Sequence, residues 1–564
     1  MELRQHQIAI VERAQRLAQR EIDDWRTTLL ATPGAGKSLC VAKMAEALQL
    51  PVIWVAPRLS LQAQGKEVLD SCGIPVGLSH HKPTRHGFVT NYMALAIDGG
   101  VSRHAIEASR LNQPVLVIAD EFHHLDGEHI MSNPEDMTKE ELAFYQAHYV
   151  NGWGASFDAF IQRLQAKDRL GHLFLMSGTP YRQDRTRCAQ SIPYQPTGIY
   201  ENGIELQQVV ASVPEYKRSD AITDGAVIPM RVTYIDANVT VLDTVDEANV
   251  LYSGLLSQCL QTDYVARALR SFLSCRSAWQ STLKHAVKDW AATYGDHKPQ
   301  VLVVARSIGD AAHYLQYLHS IAGEFHQQVG RDLRVGIAVS SDHLAKEALP
   351  EPECVRNPTH DNLDPALVKA FYSSAKQAGI YTNLQKALRR TQCPSSEEAL
   401  TMFRHREMDI LVTVGKAYEG LDAQGCTHLI HLGLIRSLPW LTQCFARAWR
   451  RDYHPAAPPF EQQRARIFIP QDARAMAAAL RIREGDYSEL QRLKPTKDKE
   501  GFVLSQAEAD RLREMLGGPQ AGGAGDASVI ATGHGVASGG GCVWDEQSPD
   551  TFEHITIEIT EEDP

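Results

Sequence analysis

The segment from Leu29 to Ser38, LLATPGAGKS, has the residue types and spacing of a phosphate-binding loop. Its glycines permit a tight turn whose N–H groups face inward, its lysine can reach the β- and γ-phosphates of a nucleotide, and its serine can ligate Mg²⁺. Ala31 stands where the usual pattern has its first glycine, and an ordinary strand-to-helix turn is the alternative reading. The predicted nucleotide contacts are Gly34, Ala35, Gly36, Lys37 and Ser38.

An acidic pair is the predicted second half of this site. Val115 to Ala119 is a continuous apolar run, typical of a central parallel strand buried on both faces, and it leads into Asp120 and Glu121. One carboxylate can hold Mg²⁺, usually through water, while the next can orient and deprotonate an attacking water. The alternative is a solvated turn.

Three polar residues near position 447 suggest a further contribution to the nucleotide site. Gln443, Arg447 and Arg450 are spaced to share one helix face. Guanidinium groups suit a γ-phosphate, because they stabilise the charge of the transition state. A solvated basic helix face is the alternative.

Strand and helix patterns alternate around these residues and predict an α/β protein with two parallel-sheet domains in tandem. A first helix, starting near Leu3 and ending near Arg20, carries Gln7, whose amide can read a base edge. The first pattern ends near 228 and a mainly helical region covers about 245–294. A second pattern starts at 301 and is interrupted by an insertion at about 343–400.

The bulk composition is that of a globular protein without a membrane span or a signal peptide, which predicts a cytoplasmic location. Its ten cysteines include no C-x-x-C pair, so neither a zinc site nor a disulfide framework is expected. The net charge of −11 includes nine acids after residue 516, where no Lys or Arg occurs. Without those nine charges the rest of the chain carries −2, so basic patches are compatible with its composition.

Nine short stretches occur along the chain in a fixed order. They are Leu3-Arg4-x-x-Gln7, Ala31 to Ser38, Val55-Ala56-Pro57-Arg58, Thr90-Asn91-Tyr92, Asp120-Glu121-Phe122-His123, Ser177-Gly178-Thr179, Val304-Ala305-Arg306-Ser307, Gly420-Leu421-Asp422 and Gln443 to Arg450. Together and in this order, they resemble the motifs of superfamily-two helicases, particularly the DExH type and the motor subunits of restriction enzymes. The resemblance covers roughly residues 1–470, and Ala446 stands where the family usually has glycine.

The resemblance implies two RecA-like domains that hold ATP and Mg²⁺ between them. It implies catalytic roles for Lys37, Glu121, Arg447 and Arg450, and metal binding by Ser38 and Asp120. The other implied nucleotide contacts are Gln7, Gly420, Asp422 and Gln443, and the implied coupling residues are His123, Ser177 and Thr179.

The implied activity is an ATP-dependent helicase or translocase on nucleic acid, with DNA favoured over RNA. The strand's phosphates are expected to contact Arg58, Thr90, Arg306 and Thr413. Two alternatives stay open: a duplex motor that serves a separate nuclease, and a nucleotide-gated switch.

The predicted domain boundaries follow from these patterns and from composition. They are a first RecA-like domain at 1–228, a mainly helical connector at 229–300, a second RecA-like domain at 301–480, a helical segment at 481–516, a glycine-rich linker at 517–541 and an acidic tail at 542–564. In the tail, Ile555, Ile557 and Ile559 alternate with polar residues, so a strand on a protein partner's sheet edge is the alternative to a flexible tail.

Overall fold

A computed structural model gives the fold of the chain. The residues that it describes are 3–125, 152–181, 187–201, 204–243, 249–260, 262–339, 350–356, 365–415, 421–484, 538–540 and 551–557.

Strands and helices alternate along most of the described chain. The strands are β1 (Arg26–Leu30), β2 (Val52–Ala56), β3 (Gly87–Asn91), β4 (Val115–Asp120), β5 (Leu170–Ser177), β6 (Tyr194–Glu201), β7 (Ile204–Val209), β8 (Met230–Asp236), β9 (Asn238–Leu242), β10 (Val250–Leu255), β11 (Gln300–Ala305), β12 (Val335–Ala338), β13 (Ile410–Thr413), β14 (Cys426–Leu432), β15 (Ala465–Pro470), β16 (Ser538–Gly540) and β17 (Thr551–Thr556). The α-helices are α1 (Gln5–Ala18), α2 (Lys37–Leu48), α3 (Leu59–Ser71), α4 (Tyr92–Ala96), α5 (Gly100–Ser109), α6 (Trp153–Gln165), α7 (Arg218–Thr223), α8 (Thr262–Ser274), α9 (Arg276–Ala292), α10 (Ile308–Ser320), α11 (His326–Val329), α12 (Glu353–Arg356), α13 (Pro365–Thr391), α14 (Ser396–Arg404), α15 (Leu438–Phe445) and α16 (Ala473–Glu484).

The first compact unit consists of Met1–Val227 together with Ser437–Ala446 and Leu480–Phe502. Its sheet has the strand order β1-β5-β4-β2-β3, and all of these strands are parallel. β2 and β4 are buried along their whole length, as expected for parallel strands covered on both faces. Because the strands are parallel, the segments that follow β1, β4 and β5 start from one edge of the sheet.

The second compact unit consists of Ile228–Arg436, Arg447–Ala479 and Val503–Pro564. Over the described ranges its sheet has the order β12-β13-β11-β14-β15-β8-β17-β16, parallel throughout except for β16. Trp290 is fully buried and donates its indole N–H to the Pro299 carbonyl at 2.8 Å, which ties α9 to the start of β11. The prediction of two parallel-sheet α/β domains in tandem is confirmed.

The region predicted as a mainly helical connector also contributes strands. β8 lies within residues 229–300, yet it pairs with β15 in the second sheet, and β9 and β10 form an antiparallel hairpin. The alternation of buried and exposed residues along β9 is the period of a half-buried strand. The helical part of the prediction corresponds to α8 and α9.

The acidic tail contributes a strand to its own chain's sheet rather than to a partner's. β17 pairs with β8 in parallel, with Phe552 opposite Val232 and Ile555 opposite Ile235. Phe552 and Ile557 are buried, and Glu553 forms an ion pair with Arg231. The predicted linker 517–541 and the remainder of the tail lie mostly outside the described residues.

None of the helices in the described part of the chain combines the length and the apolar character that a membrane span requires.

We expect removal of residues 542–564 to destabilise the second unit. Each buried Phe or Ile side chain contributes about 1.5–3 kcal/mol, so losing Phe552, Ile555 and Ile557 lowers the free energy of unfolding by several kcal/mol. A chain that ends at residue 557 keeps the strand and is the matched control. The urea midpoint of unfolding, followed by tryptophan fluorescence, measures the difference, and equal midpoints for the two truncations would contradict the role of β17.

Candidate functional site

The predicted phosphate loop joins β1 to α2 and has the conformation that its glycines permit. Gly34 and Gly36 both have a positive φ, of 86° and 83°, which a residue with a side chain adopts only with strain. α2 starts at Lys37, so the first amides of the helix, those of Lys37 and Ser38, lack helical partners, while the Leu39 N–H bonds to the Gly36 carbonyl at 3.2 Å. The Thr32 hydroxyl is buried there without a hydrogen-bond partner. Free amides at a helix N-terminus favour an anion in this loop.

Lys37 forms an ion pair with Glu121. Its Nζ lies 3.1 Å from Glu121 Oε1 and also donates to the Ala31 carbonyl at 3.3 Å. The two side chains are only 10% and 13% exposed, so water screens their charges little. Burial raises the pKa of Glu121, but Lys37 and His123 outweigh that effect and hold it below its usual range. The sequence-predicted lysine and catalytic base are therefore neighbours.

Asp120 ends β4 and is buried beside Glu121. Burial and the charge of Glu121 raise the pKa of Asp120, while Lys37 partly offsets them. The Trp54 indole N–H donates to Asp120 Oδ2 at 3.3 Å, and the Tyr92 hydroxyl donates to the Asp120 carbonyl at 2.8 Å. Trp54 thus holds the carboxylate, and Tyr92 holds the backbone of the same residue. Across the described ranges, no group of three or more His, Cys, Asp or Glu side chains is placed to hold a metal ion.

Glu121 has a left-handed backbone conformation, with φ 47° and ψ 55°. Such a conformation is uncommon for a residue with a side chain and costs free energy, and residues of this kind cluster at functional sites. Glu121 Oε2 accepts hydrogen bonds from Ser177 Oγ at 3.2 Å and from the Gly178 N–H at 3.3 Å. These bonds orient the carboxylate toward the loop.

The three predicted coupling residues form a continuous hydrogen-bonded chain that starts at Glu121. His123 Nδ1 lies 2.9 Å from Ser177 Oγ and 3.3 Å from Thr179 Oγ1. Donation from the Ser177 hydroxyl to Glu121 favours the tautomer in which His123 Nδ1 carries the proton and donates to Ser177. The series of hydrogen bonds continues to the Gln443 amide, which donates to Thr179 Oγ1 at 3.3 Å.

The start of α1 contacts the phosphate loop directly. Arg4 Nη1 donates to the Ala35 carbonyl at 2.6 Å, and Gln7 Nε2 lies 3.4 Å from the Gly36 carbonyl. A Cβ atom at Gly36 would stand 3.0 Å from Gln7 Nε2, so glycine also permits this close approach. Gln7, predicted as a base contact, is thus anchored to the loop.

Within the second unit, both predicted arginines are bound to the segment that precedes β14. Arg447 Nη1 donates to the Leu421 carbonyl at 2.9 Å, and Arg450 forms an ion pair with Asp422. Burial lowers the pKa of Arg450 to about 10, which leaves the guanidinium charged at neutral pH. Arg450 Nε is buried without a hydrogen-bond partner. Gly420, the remaining predicted residue of this segment, lies outside the described residues.

Two of the four predicted nucleic-acid contacts, Arg58 and Arg306, follow β2 and β11, while Thr90 and Thr413 lie within β3 and β13 and are buried. The Thr90 hydroxyl bonds to His104 Nε2 at 2.9 Å, and the Thr413 hydroxyl donates to the Ala338 carbonyl at 2.8 Å. A contact of either hydroxyl with nucleic acid requires these bonds to open. Arg306 is a quarter exposed and pairs with Asp310, and Arg58 is half-buried.

Sequence reasoning missed Trp54, Tyr92 and the loop contact of Arg4. Trp54 is almost fully buried and Tyr92 fully buried. No role was predicted for Trp54 from the sequence, and Tyr92 was predicted only as part of the motif-like stretch Thr90-Asn91-Tyr92. Arg4 belongs to the predicted stretch Leu3-Arg4-x-x-Gln7, so its position was a usable signal.

A family model matches the first part of the chain. Residues 1–151 match the family described as "Type III restriction enzyme, res subunit". That span includes the phosphate loop, Asp120 and Glu121, and it confirms the resemblance to superfamily-two motors of the restriction-enzyme type. No curated protein matches the chain in sequence.

Several solved structures are similar in fold. The ATP-dependent Type ISP restriction-modification enzyme LlaBIII bound to DNA is 12% identical with a TM-score of 0.39, over 83% of this chain and 28% of that one. The helicase Lhr of Mycobacterium smegmatis, bound to ssDNA and AMP-PNP, is 13% identical with a TM-score of 0.43, over 86% and 49%. Mss116p, bound to ssRNA and AMP-PNP, is 11% identical with a TM-score of 0.39, over 86% and 75%. The chain thus spans less than half the length of the first two.

We expect Gly178→Ala to weaken the binding of a non-hydrolysable ATP analogue about tenfold, a loss of about 1.4 kcal/mol. An added Cβ would stand 2.7 Å from Pro33 Cδ and 2.9 Å from Lys37 Nζ, so the lysine must move. Gly379→Ala, where the new methyl meets nothing within 4 Å, is the matched control. Calorimetric titration measures both, and wild-type affinity in Gly178→Ala would show that the lysine position does not depend on this glycine.

Proposed function

We propose that this protein is an ATP-dependent helicase or translocase that hydrolyses ATP to move along or unwind nucleic acid, DNA in preference to RNA. The observation that carries the proposal is the Lys37–Glu121 pair at 3.1 Å, set against a left-handed glycine loop and beside a second buried carboxylate. A phosphate-binding lysine, a general base and a metal-binding acid thereby occupy one site of the first unit.

Lys37 and Glu121 exchange partners in the proposed reaction. Lys37 turns from Glu121 to the β- and γ-phosphates, which are stronger anions, and the free amides at the start of α2 hold the same phosphates. Glu121 then accepts a proton from the attacking water, while Ser177 and the Gly178 N–H keep its carboxylate in place.

Ser38 and Asp120 are the proposed protein ligands of Mg²⁺. Mg²⁺ in nucleotide sites usually keeps several waters and takes one or two carboxylates together with the phosphates, so two protein ligands are sufficient. When bound, the metal supplies positive charge that stabilises the transferred phosphoryl group. The raised pKa of Asp120 fits this assignment, since a cation at the carboxylate would relieve the repulsion by Glu121.

Arg447 and Arg450 are proposed to stabilise negative charge on the γ-phosphate during hydrolysis. Arg450 is charged and half-buried, and its Nε has no hydrogen-bond partner, so it retains a donor for a phosphate oxygen. Arg58 and Arg306 are proposed to contact the phosphates of a nucleic-acid strand, which gives binding that depends on salt and little on sequence.

The test of this function is ATP turnover with and without single-stranded and double-stranded DNA and RNA, together with strand displacement. The proposal predicts that nucleic acid stimulates turnover, with DNA more effective than RNA. Turnover that no nucleic acid changes would contradict a motor. Stimulation without strand displacement would identify a translocase.

We expect Lys37→Ala and Glu121→Gln to separate ATP binding from hydrolysis. Lys37→Ala loses the phosphate contact and with it nucleotide binding, whereas Glu121→Gln binds ATP but turns over at least about 100-fold more slowly, because a general base contributes that much or more. Glu67→Gln, an exposed Glu on α3, is the matched control and keeps wild-type turnover. Normal hydrolysis by Glu121→Gln in a steady-state phosphate-release assay would show that Glu121 is not the base.

A further inference from the structure

The long helix α13 is strongly basic in an acidic protein. Its 27 residues, Pro365–Thr391, contain five Lys or Arg and no Asp or Glu, while the whole chain carries a net charge of −11. The helix belongs to the insertion at about 343–400, for which the sequence motifs give no role. The five cations are Lys369, Lys376, Lys386, Arg389 and Arg390.

All five cations are exposed and lack an acidic partner among the described residues. Some lysines elsewhere in this protein do have one. The exposed Lys284 pairs with Glu324 at 2.9 Å, and the half-buried Lys66 pairs with Asp70 at 2.6 Å. The charge on α13 is therefore not neutralised within the described part of the chain.

Four of the cations lie on one side of the helix. At 100° per residue, Lys369 and Lys376 differ by about 20° in their direction around the helix axis. Arg390 and Lys386 lie within about 100° of Lys369 on the same side. The rise per residue places Lys369 and Arg390 about 31 Å apart along the axis. Tyr372, which is 59% exposed, falls within the same arc.

Neither helix stability nor core packing accounts for this pattern. The helix dipole favours the two arginines of the last turn, but Lys369 and Lys376 lie in the first half of the helix, where it does not. Packing against α10 buries only Leu384 and Ala387, both in the second half. The first half presents cations and an exposed tyrosine to solvent.

We propose that this face of α13 binds the phosphate backbone of nucleic acid. The inference rests on the proposed function and adds to it a binding surface outside the helicase-like motifs. A rigid row of unpaired cations about 31 Å long matches a polymer whose negative charges repeat at short regular intervals. Tyr372 offers a ring on which an unpaired base can stack. The single-stranded and duplex parts of a substrate present the same phosphate chemistry, and the test separates them.

The test compares the triple variant Lys369→Gln, Lys376→Gln and Arg390→Gln with the wild-type full-length protein. Fluorescence anisotropy without nucleotide measures Kd for a labelled 30-mer, single-stranded or duplex, between 50 and 300 mM salt. The matched control removes the same charge from exposed positions of α9, by Arg276→Gln, Lys284→Gln and Lys288→Gln. Gln keeps helix propensity, so the fold is preserved, and unchanged ATP turnover without nucleic acid verifies this.

We expect the α13 variant to bind at least about tenfold more weakly and its salt slope to fall by about two to three, since each lost duplex phosphate contact removes about 0.9. The control keeps the wild-type affinity and slope. A larger loss on the duplex assigns α13 to the duplex part of the substrate, and a larger loss on the single strand assigns it to the unpaired part.

An α13 variant with wild-type affinity and slope would overturn the inference, as would equal losses in the variant and the control. Poly-glutamate is the competing ligand. If it binds the wild-type protein as tightly as DNA does, and binds the α13 variant more weakly, the partner of α13 is an acidic protein and the inference is overturned. Failure of the proposed function is distinguished by ATP turnover: the wild-type protein then binds nucleic acid, but nucleic acid does not stimulate its ATP turnover.

Discussion

A single buried lysine faces two adjacent carboxylates at the end of β4, and the geometry of the first unit's site follows from that imbalance. Lys37 is paired with Glu121, so Asp120 lacks a cation of its own and its pKa is raised by burial and by its neighbour. Two buried carboxylates this close cannot both ionise without cost. In the proposed function, a divalent cation would compensate the charge of Asp120, and phosphate oxygens would replace Glu121 as the partner of Lys37. This complementarity is the reason for proposing a metal–nucleotide pair, and not either component alone, as the ligand of the site.

The hydrogen bonds beyond Glu121 give this charge rearrangement a route into the rest of the first unit. Ser177 has one hydroxyl proton, and its donation to Glu121 favours His123 as the donor to Ser177. In the proposed function, a proton or a new partner at Glu121 would free the Ser177 hydroxyl to turn and so alter its bonds to His123 and Thr179. The Gln443 amide bonds to Thr179 at the far end of these hydrogen bonds. The network is buried, so each of its members needs a partner in either arrangement.

The sequence predicts most of the sheet architecture and the residues around the phosphate loop, because both depend on local patterns. Apolar runs such as Val115 to Ala119 identify buried parallel strands, and glycine followed by Lys-Ser identifies a turn that exposes amides. Such local patterns do not predict contacts between residues that are far apart in the sequence. The indole of Trp54 looks like core in the sequence, although it holds Asp120, and β17 finds its partner β8 more than 300 residues away. The burial of Thr90 likewise depends on His104, which only the fold brings within reach.

The pairing of Lys37 with Glu121 makes the carboxylate a competitor of the phosphates, and equilibrium binding tests that claim most directly. A fluorescent non-hydrolysable ATP analogue with Mg²⁺ is titrated into the wild-type protein and into Glu121→Gln. The account predicts a Kd several-fold lower for the variant, because Lys37 no longer has to leave a charged partner, with each tenfold corresponding to about 1.4 kcal/mol. An unchanged or higher Kd for Glu121→Gln would contradict it.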